Sequence, residues 1–89
     1  GPGLAADPAL DEVAREAERQ LKDQLAALLT HYQQAGLVRR EVNIRDAAMV
    51  LFYVFNQHFI EYVTGQSTDF ARMKVAMDRQ LRFIVTAIS

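Results

Sequence analysis

His58 and Glu61 stand three residues apart, a spacing that puts an imidazole and a carboxylate on adjoining parts of one helical turn. Such a pair offers metal ligation or proton transfer. A di-metal carboxylate bundle, however, draws paired Glu-x-x-His motifs from different helices, and here there is one pair in the reverse order. An imidazole hydrogen-bonded at the edge of a packed facet accounts for His58. His31 falls on the flank of its helix, half in solvent. Ser67 and Ser89 have no base nearby in the pattern and sit where caps and termini sit. No glycine-rich phosphate loop and no zinc spacing is present. The expectation is a protein that is not an enzyme, with no catalytic residue, metal ligand or cofactor.

Two other features point to binding. Asn56 shares a helical facet with Met49, Phe52, Phe59 and Ile60. It reads either as a satisfied polar group in a helix–helix seam or as the one polar group that orients a ligand in an apolar cavity. Arg39, Arg40 and Arg45 form a basic patch. A solvated loop explains them without phosphate recognition, since no accompanying motif is present.

The elements that carry these residues follow from composition and punctuation. Eighty-nine residues make one domain at most, yet 51% of them are hydrophobic, a high share for so small a volume. Net charge is −1, so nothing global calls for nucleic acid or an anionic membrane. There is no cysteine and no signal peptide, which leads to the expectation of a reducing, cytoplasmic compartment. The nine-residue apolar run Ala47 to Phe55 is far short of the ~20 residues a bilayer span needs. Residues 1–6 read as an expression scar, opening Gly-Pro-Gly, and a flexible N-terminus; the helical domain is expected over 7–89.

Three helices are expected, at about 8–35, 44–64 and 69–88. Asp7 caps the first, with Pro8 at the first helical position. Leu10, Ala14, Ala17, Leu21, Leu25, Leu28, Tyr32 and Ala35 recur at steps of three and four and define its apolar stripe. Asp11–Arg15 and Glu18–Lys22 are acid-first pairs on its solvent side, and Gly36 stops it, with Leu37 placed to fold back on the last turn. Asn43 opens the second helix with a capping box to Asp46, and Gly65 ends it. This helix is apolar nearly all round, the mark of a buried helix, and two partner helices of the same chain cannot cover it. The third helix presents Phe70, Met73, Met77, Leu81, Ile84 and Ile88 as its central stripe. The subunit core is expected to set Leu21, Leu25, Leu28 and Tyr32 against Leu51, Phe55 and Tyr62, closed by Met77, Leu81 and Ile84. Val50 and Val54 interrupt an otherwise polar arc. With Gln57, Ala76, Gln80, Phe83 and Ala87 they are expected to line a two-fold homodimer interface.

The stretch His31-Tyr32-Gln33-Gln34-Ala35-Gly36 through Asn43 and Ala47-Ala48 to Phe55 resembles the C-terminal half of TetR-type bacterial transcription regulators. A helix stops in a Gln-x-x-Gly-like pattern at Gln33 to Gly36, and an Arg-bearing connection follows from Leu37 to Glu41. Asn43 opens a long helix with the Ala47-Ala48 pair, Gly65 closes it, and one more amphipathic helix ends the chain. The likeness covers roughly residues 10 to 89 and rests on order and spacing, since each residue type is common. The resemblance implies the dimerisation and effector-sensing part of a repressor, all-α. Its last two helices would form a four-helix bundle with a second subunit. DNA would be bound only through an N-terminal helix-turn-helix domain that is not in this chain. It also implies an apolar or amphipathic effector, bordered by Phe52, Asn56 and Phe59, the facet left after core and dimer faces are assigned. The alternative is a free-standing all-α homodimeric interaction module.

Overall fold

Each helix begins where a short polar side chain can accept a backbone N–H that the helix leaves unpaired. In the computed structural model, which describes residues 7–89, the Asp7 carboxylate accepts from Ala9 N–H (2.9 Å) and Leu10 N–H (3.3 Å) at the head of α1, Pro8–Gln34. The Asn43 Oδ1 accepts from Asp46 N–H (3.0 Å) and opens α2, Ile44–Val63. Asp69 accepts from Arg72 N–H (3.1 Å) and opens α3, Phe70–Ile88. No strand is present among the described residues, and the fold is all-α. The expected scar at 1–6 lies outside the described residues.

The stops are equally local. Gly36 takes φ +82°, a left-handed conformation that costs an L side chain energy but glycine nothing. Its N–H donates to Gln33 O (3.1 Å), and Leu37 N–H donates to Tyr32 O (2.9 Å), the paired bonds of a Schellman stop. The backbone of Leu37 folds back as expected, but its side chain stays exposed. The connection to α2 is then held by one side chain. The Gln33 amide Nε2 lies 3.0, 3.3 and 3.1 Å from the carbonyl oxygens of Arg39, Arg40 and Val42. Val38, in the same connection, is buried.

Packing is centred on α2, with α1 on one side and α3 on the other; the two outer helices do not pack along each other. The Arg39 N–H does reach the Ile88 carbonyl (2.9 Å), joining the first connection to the end of α3. Ala26, Leu29, Ala47, Ala48 and Leu51 form the buried centre, with Leu25, Val42, Ile44, Leu81, Ile84 and Ile88 packed around it. Leu25, Leu51, Leu81 and Ile84 therefore occupy the expected core.

Leu21, Leu28, Tyr32 and Tyr62 do not; all four are exposed. Instead α1 meets α2 through Ala26 and Leu29, a face that shares only Leu25 with its leucine stripe. Three alanines at the contact allow a closer approach of the helix axes than leucines would. A second correction concerns an ion pair: Arg15 bonds Glu12 (3.2 Å) rather than Asp11, while Glu18–Lys22 forms as expected (3.0 Å). Asp23 and Arg45 join α1 to α2 at 2.6 Å, but both are open to solvent, so the pair contributes ~0–1 kcal/mol.

The resulting body measures 48 × 30 × 14 Å. Its thin dimension is little more than one helix diameter. Its radius of gyration is 15.5 Å, where a compact domain of this length has about 12 Å. The chain exposes 6758 Å², and a folded monomer of 10.1 kDa exposes about 5,300 Å². Three helices here make one layer, whereas a stable core needs two.

Leu51→Ala is expected to destabilise by ~2–5 kcal/mol in denaturant melts, through lost burial and the cavity left behind. Leu28→Ala, on the exposed stripe, is expected to change stability by less than ~1 kcal/mol. Equal effects would mean that α1 packs through its leucine stripe after all.

Candidate interaction face

The two helices that follow Asn43 leave a shallow groove between them. It has a volume of about 500 Å³ and is lined by Val50, Tyr53, Val54, Gln57, His58, Glu61 and Gln80. The helical period explains the membership: positions 50, 53, 54, 57 and 61 recur at steps of three and four and share one side of α2. Walls are mostly apolar, and the polar groups bond among themselves. The Gln57 Nε2 donates to the Glu61 carboxylate (3.0 Å). His58 Nε2 and Gln80 Oε1 lie 2.6 Å apart and bridge α2 to α3. An amide oxygen only accepts, so Nε2 carries the proton in this contact.

Four residues expected at a dimer interface line this groove: Val50, Val54, Gln57 and Gln80. Of the other three, Ala76 is half-buried, and Ala87 and Phe83 are exposed, Phe83 by 78%. The sequence reading left Glu61 out of the interface although it lies on the same arc as Val50 and Val54, and it passed over Tyr53, whose spacing puts it there too. It expected His58 to be hydrogen-bonded at the edge of a facet but named no partner; the partner, Gln80, depends on how α3 is set against α2.

Phe52, Asn56 and Phe59 lie on the far side of α2 from Val54. Phe52 is buried, at 4% exposure, whereas Phe59 is 62% exposed. The Lys22 ammonium of α1 stands over the Phe52 ring at 5.0 Å and over Tyr53 at 5.3 Å, with Glu18 on its other side. This cation–π contact adds about 0.5–1 kcal/mol at a partly exposed site. Asn56 is half-buried, and no described residue hydrogen-bonds to its amide. The three side chains thus stand at different depths, one covered, one at the surface and one between.

The remaining candidates are tied to local structure. Ser67 N–H donates to Glu61 O (2.9 Å), and Ser89 Oγ donates to Val85 O (2.5 Å). His31 is exposed beside Tyr32, with ring centroids 5.9 Å apart. The arginines do not pool their charge, because Arg45 faces Asp23 and Arg39 faces Glu41 (3.4 Å). On the outer flank of α1, bonds from Arg19 and then Gln20 hold the Glu16 carboxyl below its ordinary range. The Arg19 guanidinium is raised by the same contact. This is a solvated ion pair at the edge of a shallow depression lined by Glu12, Val13, Glu16, Ala17 and Gln20.

No described helix is long and apolar enough to cross a membrane. No family model, curated protein or solved structure matches the chain.

Phe52→Ala is expected to cost ~3–5 kcal/mol, and Phe59→Ala less than ~1 kcal/mol. Urea melts of the two variants check this; a large loss at Phe59 would show that it is covered in solution.

Proposed function

We propose that this chain is the dimerisation and effector-sensing part of a TetR-type transcription regulator. One observation carries the reading beyond resemblance: α2 is apolar on nearly every side, and its own chain covers only the sides that meet α1 and α3. Val50, Tyr53, Met49, Ile60 and Val63 remain exposed. A monomer rarely leaves so contiguous an apolar surface to water. The exposed area exceeds that of a compact monomer by on the order of 1,000 Å², the amount each subunit of a permanent dimer buries. A second copy laid with two-fold symmetry across α2 and α3 would supply the missing layer. Val50, Val54, Gln57, Ala76, Gln80, Phe83 and Ala87 would line that contact.

Under this reading DNA is bound by a helix-turn-helix domain outside this chain, in the cytoplasm. The effector is an apolar or amphipathic small molecule, bordered by Phe52, Asn56 and Phe59. The Asn56 amide, with no partner among the described residues, would donate to or accept from its polar group. A site built around such a bond discriminates by ~1–3 kcal/mol against ligands that leave it unpaired. A free-standing homodimeric interaction module has the same apolar excess and the same dimer. The two readings part at the effector.

Light scattering is expected to give the mass of a dimer at micromolar concentration; a monomer would remove both readings. Phe83→Ser is the cleanest interface probe, because a side chain that is 78% exposed contributes little to the fold. It is expected to weaken association and leave the helical signal intact. Val54→Asp, half-buried, is expected to dissociate the dimer and also to destabilise the chain.

In the full regulator, Asn56→Leu is expected to shift the inducer concentration needed for operator release, with dimerisation and operator affinity unchanged. An altered melting temperature with an unchanged inducer response would assign Asn56 to packing alone.

A further inference from the structure

We infer that the leucine stripe of α1 is a second contact between copies of this chain, in which two α1 helices pair antiparallel about a two-fold axis beside Leu21. No residue of the stripe lines the groove between α2 and α3. The contact is therefore separate from the one proposed above and does not depend on it. Leu10, Leu21, Leu28 and Tyr32 are exposed within one chain, and Leu25 is half-buried. Every residue from Asp7 to Arg15 is exposed as well, and so short a stretch of helix is marginal in water without packing.

The spacing of the stripe carries the register. From Leu21 it runs back through Ala17, Ala14 and Leu10, and forward through Leu25, Leu28 and Tyr32, at the same steps of four, three and four. A half-turn about Leu21 lays Ala17 of one helix across from Leu25 of the other, Ala14 across from Leu28, and Leu10 across from Tyr32. Each alanine then faces a leucine, and small against large lets two helix surfaces interdigitate. In a parallel pair in register, alanine would face alanine at two successive levels and leave voids.

Charge selects the same orientation. Between Asp7 and Arg19 stand five carboxylates and two arginines. From Gln24 to Val38 there is no carboxylate, lysine or arginine; Arg39 and Arg40 follow, Arg39 beside Glu41. Parallel pairing would set two acidic halves side by side. Antiparallel pairing sets each against an uncharged half that ends near Arg40, so like charges do not meet. The stripe is about 33 Å long, and one helix pair belongs with the small, weak interfaces. It is therefore populated at higher concentration than the groove dimer. Leu28→Ala, near neutral for the single chain, is expected to weaken this association.

The chain has no cysteine, so introduced thiols report the contact. Under mild oxidation at high concentration, Leu21→Cys is expected to link into dimers several-fold faster than Ala27→Cys, an exposed position off the stripe. In a mixture of Ala14→Cys and Leu28→Cys chains, the mixed disulfide is expected in excess over either like pair. Excess like pairs would mean parallel helices and overturn the inference, as would equal rates for Leu21→Cys and Ala27→Cys. Sedimentation equilibrium reads the mass independently. The whole chain is expected to pass beyond a dimer toward a tetramer as concentration rises, and Leu21→Glu to stop at the groove dimer with its helical signal intact. Phe83→Ser is expected to stop at the α1 pair, and the two changes together to give a monomer. If Leu21→Glu associates like the wild type, this inference fails and the groove reading stands. If Phe83→Ser does so, the groove reading fails and this one stands.

Discussion

Three alanines set the geometry on which the rest depends. Ala26 of α1 meets Ala47 and Ala48 of α2, and Ala48 is the most completely buried residue of the centre, at 1% exposure. Small side chains at a crossing bring helix axes close, and close axes commit the larger neighbours. Leu29 and Leu51 are drawn into the seam, and Leu28 and Tyr32 are turned out of it. Phe52 then lies under α1, where Lys22 covers its ring. With one side of α2 taken up this way, α3 can reach only the adjoining side, and the groove beside Val54 is what remains. The positions of core, groove and exposed stripe are consequences of one tight contact.

Helix ends were legible because each depends on a few neighbouring atoms. Asp7 and Asn43 accept the N–H groups expected of caps, and Gly36 and Gly65 adopt the positive φ that only glycine takes freely. The facing side of α1 was not legible in the same way. Its leucines recur with a helical period, and large apolar residues normally mark the buried face. Ala26 is inconspicuous in that pattern, and its value appears only when Ala47 and Ala48 stand opposite. Val38 was likewise unreadable: nothing in the connection itself reveals that it will be buried.

The candidate face divides along the same line. Val50, Val54 and Gln57 were recognisable because period alone places them on one arc of α2. The hydrogen bond from His58 to Gln80 was not, since it requires the register of α3 against α2 through a turn at residues 64–69. Within a helix the sequence specifies neighbours; between helices, packing does. The leucine stripe of α1, Leu10 with Leu21 and Leu28, keeps its helical period although its own chain does not cover it.

The short bond from Arg39 N–H to the Ile88 carbonyl ties together two parts of the chain that the helical ladders leave independent. Nearly every other backbone bond spans a few residues and can form or open with its own helix. This one closes a loop through all of α2 and α3. It exists only while α3 is docked and the Gln33-braced connection is in place. The Arg39 amide is therefore a natural reporter. Its exchange with solvent deuterium would measure the free energy of undocking α3, separately from the fraying of any single helix.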